Sequence, residues 1–328
     1  MIELGLDKKK TKESLGLNKY YLTALKIVIA AGLIAFILYK VNAVQVYKAF
    51  TNANLYLIAL VIALTALNLT LQYKKWKLTS SVLLHESNSK KIWYSLFFGI
   101  AAGSFTPARI GEYFGRAMEF KDKPVLQVTI ATLTDKFFAF VVVVFIGSIA
   151  SILFIHFYYG VNSLITVSLF LVQFLLFYFF IMLLLHPKLW NNNIVDYLVS
   201  RKRIGPFFKQ LAIIKSLDKN YTARMMGWTL LFYSCYIIQF ALLTAAFTNH
   251  NNYFHYLWAG NLVMFAKSVI PPVSLAEIGI REGASIFFLT KMGELAPSAF
   301  DASIFLFFIN VLVPSLIGVV LLFRKNND

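Results

Sequence analysis

Arg109, Glu112 and Arg116 follow Thr106-Pro107 in the stretch GIAAGSFTPARIGEYFGRA, residues 99–117, just beyond an apolar segment too short to cross a bilayer comfortably. Farther on, Asp135-Lys136 interrupts a long apolar run, and Arg281-Glu282 follows a second break at Pro271-Pro272. Ionised groups in such surroundings are costly, and function is their default reading. Guanidinium groups there suit an anion, and a phosphate matches their planar donor fork. Thr106-Pro107 has the form of a helix start, with a hydroxyl N-cap and proline at the first helical position. That start would place Arg109 in the first turn, where the helix dipole opposes a cation and an anionic ligand would explain it. Glu112 and Arg116, four apart, share a helix face and can pair. Asp135 needs a partner or a proton, and an arginine from the first stretch is the natural partner; Lys136 is free to snorkel. In the second stretch Ser274 with Glu277 fits a capping box. Arg281 and Glu282 are adjacent, do not share a face in the same way, and need partners elsewhere. The competing reading is a buried ion network that only fixes the segments in place.

Enzyme chemistry finds little support in the same residues. The histidines His85, His156, His186, His250 and His255 fall mostly at loop edges, and no HExxH, Cys/His metal spacing or phosphate-cradling GxxxxGK[ST] occurs. Glu112 and Glu277 have the chemistry of an acid and a base, but no nucleophile or metal set accompanies them. No cofactor is expected. The single cysteine, Cys235, lies in an apolar run and reads as a small packing residue.

The elements that must position these groups are helices in a membrane. The chain has 328 residues, 59% of them hydrophobic, and a mean hydropathy of +0.69. Several runs reach the roughly 20 apolar residues that span a bilayer, and no large polar segment marks a soluble domain. The formal charge of +16 points to topology and anionic lipid headgroups rather than to nucleic acid. Apolar segments fall at 22–40, 53–72, 92–106, 125–155, 163–186, 223–248, 257–271 and 301–323. The first follows a basic head, 1–21, and reads as a retained helix. Trp76 in the cluster Lys74–Lys77 reads as an interfacial anchor. The head, 73–91, 187–222 and the tail are basic and should be cytoplasmic, whereas 41–52, 156–162 and 249–256 should lie outside. On that count 92–119 starts and ends inside and 257–290 starts and ends outside, so each is a re-entrant hairpin.

Sliding the chain so that Pro107 falls on Pro272 puts Glu112 on Glu277 and Arg116 on Arg281, and the flanking helices overlap. Repeats of opposite orientation with broken helices are common in secondary transporters, with the site between them. The expected fold is therefore all-α and polytopic: about six full transmembrane helices plus two re-entrant hairpins in an inverted repeat. After the head, residues 22–328 form one transmembrane domain, with repeat one about 22–155 and repeat two about 163–325. The spacings Gly99/Gly103, Gly111/Gly115 and Gly279/Gly283 are explained by close helix packing. Lys267 is a weaker site candidate than the arginines.

TPARIGEYFGRA, the Asp135-Lys136 pair followed by FFA, GIREGA at 279–284 and the Lys75-Trp76 pair together resemble the lysylphosphatidylglycerol synthase transmembrane, or flippase-like, family. That family includes the membrane domain of the bacterial multiple peptide resistance factor. The resemblance covers about 22–325 and implies a membrane protein that moves or handles lipids. By position it carries over Pro107, Arg109, Gly111 and Glu112 from one motif, Asp135 and Lys136 from an Asp-Arg pair, and Gly279, Arg281 and Glu282 from another. Arg116 stands four after Glu112 where three is the familiar spacing, and Ala276-Glu277 replaces two common glycines. The soluble aminoacyltransferase domain of the synthases is absent from this sequence, so a translocator is expected rather than an enzyme.

The expected function is an inner-membrane lipid translocator with both termini cytoplasmic. Its partners would be membrane lipids with anionic headgroups: a phospholipid, an aminoacylated phospholipid or a polyprenyl-linked lipid. Its substrate-binding candidates are Thr106, Pro107, Arg109, Gly111, Glu112, Arg116, Asp135, Lys136, Pro272, Ser274, Glu277, Arg281 and Glu282. The alternatives are a membrane-embedded transferase on lipid-linked sugars and a non-transporting accessory protein.

Overall fold

The computed structural model describes residues 43–106, 108–185, 217–270 and 279–327. Within them the chain is helical, with no strand. The helices are α1 (Ala43–Thr51), α2 (Leu55–Leu83), α3 (Ser89–Ser104), α4 (Gly111–Ala117), α5 (Val125–Tyr159) and α6 (Ser163–Leu185). After the basic connection come α7 (Lys219–Thr248), α8 (Tyr253–Val269), α9 (Ile280–Lys291), α10 (Ala296–Phe307) and α11 (Val313–Asn327), the last two joined by a π-helical turn at Phe308–Leu312. Side chains fix the ends: Asn54 accepts from the Tyr56 and Leu57 N–H groups, Asn88 from Lys90 and Lys91, and Asp218 from Tyr221. Gly160, at φ 64°, closes α5 in the left-handed region. Between α2 and α3, Glu86 accepts from the Asn88 N–H at 2.9 Å, which with nearby Lys91 holds its carboxyl below the usual carboxylate range.

Four of the described segments are long and apolar enough to cross a membrane: α2, α5, α7 and the continuous α10–α11 rod. The fold is that of an all-α polytopic membrane protein. The expected head, the 22–40 helix and most of the 187–222 connection lie outside the described residues.

Helix α2 continues to Leu83 instead of ending near 72, so the Lys74–Lys77 cluster is intrahelical. Trp76 is consequently no interfacial anchor. It is fully buried, in a core with Leu83, Ile92, Leu96 and Phe120. The extension holds because its polar residues find partners inside the bundle. Thr79, for instance, shares a 3.0 Å hydrogen bond with the Tyr221 hydroxyl of α7.

Helices α3 and α4 fold back on one another. A Cβ at Gly111 would meet the Ala102 carbonyl, and one at Gly115 the Phe98 carbonyl, so the register runs antiparallel and the backbones touch. Small residues permit that approach. The expected helix start at Thr106-Pro107 is displaced: α4 begins at Gly111, and Ala108 and Arg109 hold φ of 50° and 55° in a turn. The Thr106 hydroxyl donates to the Ala102 carbonyl (3.0 Å) and accepts from the Gly111 N–H (2.7 Å), tying the end of α3 to the start of α4. Pro107 lies outside the described residues, as do Pro272, Ser274 and Glu277 in the connection between α8 and α9. At the start of α9, Glu282 Oε2 accepts from the Gly279 N–H at 2.7 Å. Gly283 faces open space, so close packing does not explain the Gly279/Gly283 spacing as it does the glycines of the first hairpin.

Contacts between the halves exchange in pairs. The first arm of each hairpin lies on the last helix of the other half: α3 on α11, and α8 on α5. Helix α2 packs on α7, α4 on α5, and α9 on α10. The exchange reaches single residues, for a Cβ at Gly318 on α11 would meet the Phe97 carbonyl of α3, and one at Gly147 on α5 the Phe265 side chain of α8. This reciprocity gives each set of contacts a counterpart. Helix α6 stands apart from it and packs chiefly on α5.

Gly115→Ala should lower stability by about 1–3 kcal/mol, because the backbone it meets has nowhere to move. Gly283→Ala should be neutral or stabilising by up to about 1 kcal/mol, since it adds helix propensity in free space. Thermal unfolding of both variants in one detergent checks the contrast; equal shifts would contradict the hairpin register.

Candidate anion site at the first hairpin

Three elements and one turn bring six ionisable side chains together. Helix α2 supplies Lys75, the turn before α4 supplies Arg109, α4 supplies Glu112 and Arg116, and α5 supplies Asp135 and Lys136. Arg116 Nη2 donates to Glu112 Oε1 at 2.8 Å and Nη1 to Asp135 Oδ2 at 3.0 Å. Lys75 Nζ lies 3.3 Å from the other Asp135 oxygen. On Glu112 Oε2 two further cations converge, Lys136 Nζ at 2.7 Å and Arg109 Nη2 at 3.2 Å.

The arginine at the centre is held from every side. Its guanidinium stacks over the Trp76 ring at 4.3 Å. Trp76 Nε1 donates to Ser95 Oγ (3.2 Å), and Ser95 Oγ donates to the Arg116 carbonyl (2.9 Å). The Lys75 ammonium sits 5.2 Å from the centre of the Phe232 ring on α7. These contacts fix the buried half of the cluster and leave it little freedom to rearrange.

Charge and exposure divide the site in two. Four cations against two carboxylates leave an excess of two positive charges. Lys75, Arg116, Glu112 and Asp135 side chains are all under a tenth exposed, whereas Arg109 is 22% and Lys136 35% exposed. The two cations at the mouth share one carboxylate oxygen. Around the mouth, Phe105, Ile110, Phe114 and Leu133 expose apolar side chains. A positively charged opening among exposed apolar side chains is suited to an anion carried by an amphiphile.

The expected Glu112–Arg116 pair is present, and the arginine of the first stretch that meets Asp135 is Arg116. Lys136 does not snorkel away; Glu112 captures it across the α4–α5 contact. Arg281 and Glu282, expected to need separate partners, pair with each other although adjacent, because Glu282 turns back toward the N-terminus of α9 and both side chains are long enough to meet there. Arg281 Nε also donates to Ser303 Oγ on α10 (3.2 Å), and its guanidinium lies 5.1 Å from the Phe307 ring centre. This second centre is separate from the first, and its described charges cancel. The repeat alignment sets Arg116 on Arg281, and each arginine reaches the last helix of its own half, at Asp135 and at Ser303. Lys75 is the cluster member that the charge pattern concealed. Its lysine-rich neighbourhood read as a helix end, and only the partner Asp135, far along the chain, shows otherwise.

The family model described as lysylphosphatidylglycerol synthase TM region matches residues 23–318. The chain belongs to that family. Neither the curated proteins nor the solved structures yield a match. A lipid-related membrane role fits this membership.

Removing Asp135 should strand Lys75 and Arg116. Asp135→Ala should cost about 3–5 kcal/mol, and adding Lys75→Met should recover part of it. Detergent-solubilised unfolding of the two single variants and the double variant measures the coupling, and strict additivity would show that the pair does not interact.

Proposed function

We propose that this protein is a lipid translocator that binds the phosphate of an anionic lipid at the Arg109–Lys136 mouth. The carrying observation is the excess of two positive charges in a cluster opening among exposed apolar side chains. A phosphate at the mouth accepts from Arg109 and Lys136 without breaking the Arg116–Asp135 and Lys75–Asp135 pairs beneath it. Glu112 orients both mouth cations, and Arg116 holds Glu112. The lipid is an anionic phospholipid, an aminoacylated phospholipid or a polyprenyl-linked lipid; on an aminoacylated headgroup Glu112 also faces the added amine. The two halves rock about their shared contacts, α3 on α11 and α8 on α5, to open the site to either leaflet. The protein lies in the inner membrane with both termini cytoplasmic, a reading supported by its basic segments.

Headgroup movement in proteoliposomes tests the reading. Arg109→Ala and Lys136→Ala should each slow movement of a fluorescent phosphatidylglycerol by about tenfold or more, the worth of one charge-assisted hydrogen bond, while Lys136→Arg retains most activity. Both alanine variants should remain folded, since neither residue is fully buried. Unchanged movement in both would overturn the site.

A further inference from the structure

Lys136 begins a row on α5. Phe140, Val144, Ser148 and Ile152 follow it at intervals of four residues, the spacing that lines side chains into one ridge of a helix. The four apolar or small members line one wall of a groove of about 460 Å³ between α5 and α6, and Val172 and Leu176 of α6 belong to the other wall. Ligand sites typically measure about 300–1,000 Å³. At 1.5 Å per residue, the row from Lys136 to Ile152 covers about 24 Å, most of the roughly 30 Å hydrocarbon core. The α5 wall of the groove runs from Phe137 to Ile152, so the groove begins at the residue next to Lys136.

We infer that the groove between α5 and α6 holds one hydrocarbon chain of the lipid whose phosphate sits at Lys136 and Arg109. Charge complementarity fixes the polar end, and the ridge leads from that end into the apolar channel without interruption. Helix α6 is held to α5 at mid-height by Gln173, whose Nε2 donates to the Phe145 carbonyl at 3.1 Å, and by the Phe145–Phe177 stack, with ring centres 3.9 Å apart. These contacts keep the two walls together. The row thus gives α6, which takes no part in the exchanged contacts of the repeat, a role in selecting lipids by chain. The inference rests on the proposed headgroup site, and its test separates the two.

Phosphatidylglycerol carrying a diazirine near the end of one acyl chain is reconstituted with the full-length protein in nanodiscs, and crosslinked peptides are mapped. Labelling should concentrate at Val144, Ser148, Val172 and Leu176 and fall about tenfold or more in Lys136→Ala. Groove labelling unchanged by Lys136→Ala would identify ordinary surrounding lipid and overturn the inference. In parallel, binding of dihexanoyl phosphatidylglycerol, which reaches only the cation cluster, is compared with that of the long-chain lipid. Ser148→Phe and Val172→Phe, each narrowing the groove, should weaken the long-chain lipid about tenfold and the short-chain lipid less than about twofold. Equal loss for both lipids, or none for either, would overturn the groove. Failure of the short-chain lipid to bind the unmodified protein would overturn the headgroup site itself.

Discussion

The first half of the fold depends on the cost of carrying ionised groups inside an apolar bundle. A carboxylate or ammonium taken out of water without a partner costs several kcal/mol, so Lys75, Glu112, Arg116 and Asp135 can be buried only together. That requirement fixes geometry. Helix α2 must extend past its apolar segment to carry Lys75 to Asp135. The turn before α4 must be tight enough to bring Arg109 and Arg116 onto opposite oxygens of Glu112. Helices α3 and α4 must nearly touch, which the glycines at 111 and 115 allow. Trp76 and Ser95 then hold the guanidinium from its ring face and through its own carbonyl. The hairpin is placed by electrostatics and made possible by small residues.

The two halves share a scaffold but not its charges. The exchanged contacts of Gly318 with Phe97 and Gly147 with Phe265 show how closely the packing corresponds. Yet Arg116 meets a carboxylate on α5, whereas Arg281 meets the Ser303 hydroxyl on α10. Where α2 and α7 cross nearer the start of α2, Gln239 donates to Thr65 Oγ1 at 3.1 Å and accepts from Asn310 Nδ2 at 3.1 Å, whereas Lys75 lies farther along α2 beside Phe232. Asn310 is in the π-helical turn between α10 and α11, an irregularity of the kind that often marks functional positions. The ion pair of Arg281 is with its own neighbour Glu282, so the charges of that centre cancel, whereas the cluster at Arg116 holds two positive charges in excess. Two arrangements of such a molecule that exchange the roles of its halves cannot be equal in energy.

Hydropathy and proline breaks made the helices and both interruptions legible, because apolar length and the loss of an N–H are local properties. The Glu112–Arg116 pair was legible for the same reason, its spacing being that of one helix face. An arginine of the first stretch as partner of Asp135 could be argued from need, since a buried carboxylate requires a cation, but not which of Arg109 and Arg116 it is. What could not be read required knowledge of distant partners. Lys75 and Trp76 looked like the edge of the membrane until Asp135 and Arg116 explained why they are buried. The left-handed backbone at Ala108 and Arg109 contradicts the helix-start pattern of Thr106-Pro107, since steric fit of α4 against α3 outweighs a local capping preference. Adjacent Arg281 and Glu282 were read as mutually out of reach because face counting ignores how far long side chains bend at a helix end.

The division between a saturated interior and an accessible mouth bears on how such a site could release what it binds. Arg116 and Lys75 are already matched to Asp135, and breaking those pairs would leave charges stranded at a cost no single ligand contact returns. Arg109 and Lys136, the partly exposed cations of the cluster, meet on one oxygen of Glu112, and it is these two that the proposed anion would engage. Its gain is therefore a few charge-assisted hydrogen bonds less partial desolvation, and its departure restores an arrangement that is complete without it. A pathway needs binding strong enough to admit a ligand and weak enough to let it go. A cluster in which the buried cations are committed and only the peripheral ones are negotiable has that property by construction. Without Asp135, Arg116 and Lys75 would lose that commitment, and the separation between buried and peripheral cations would be gone.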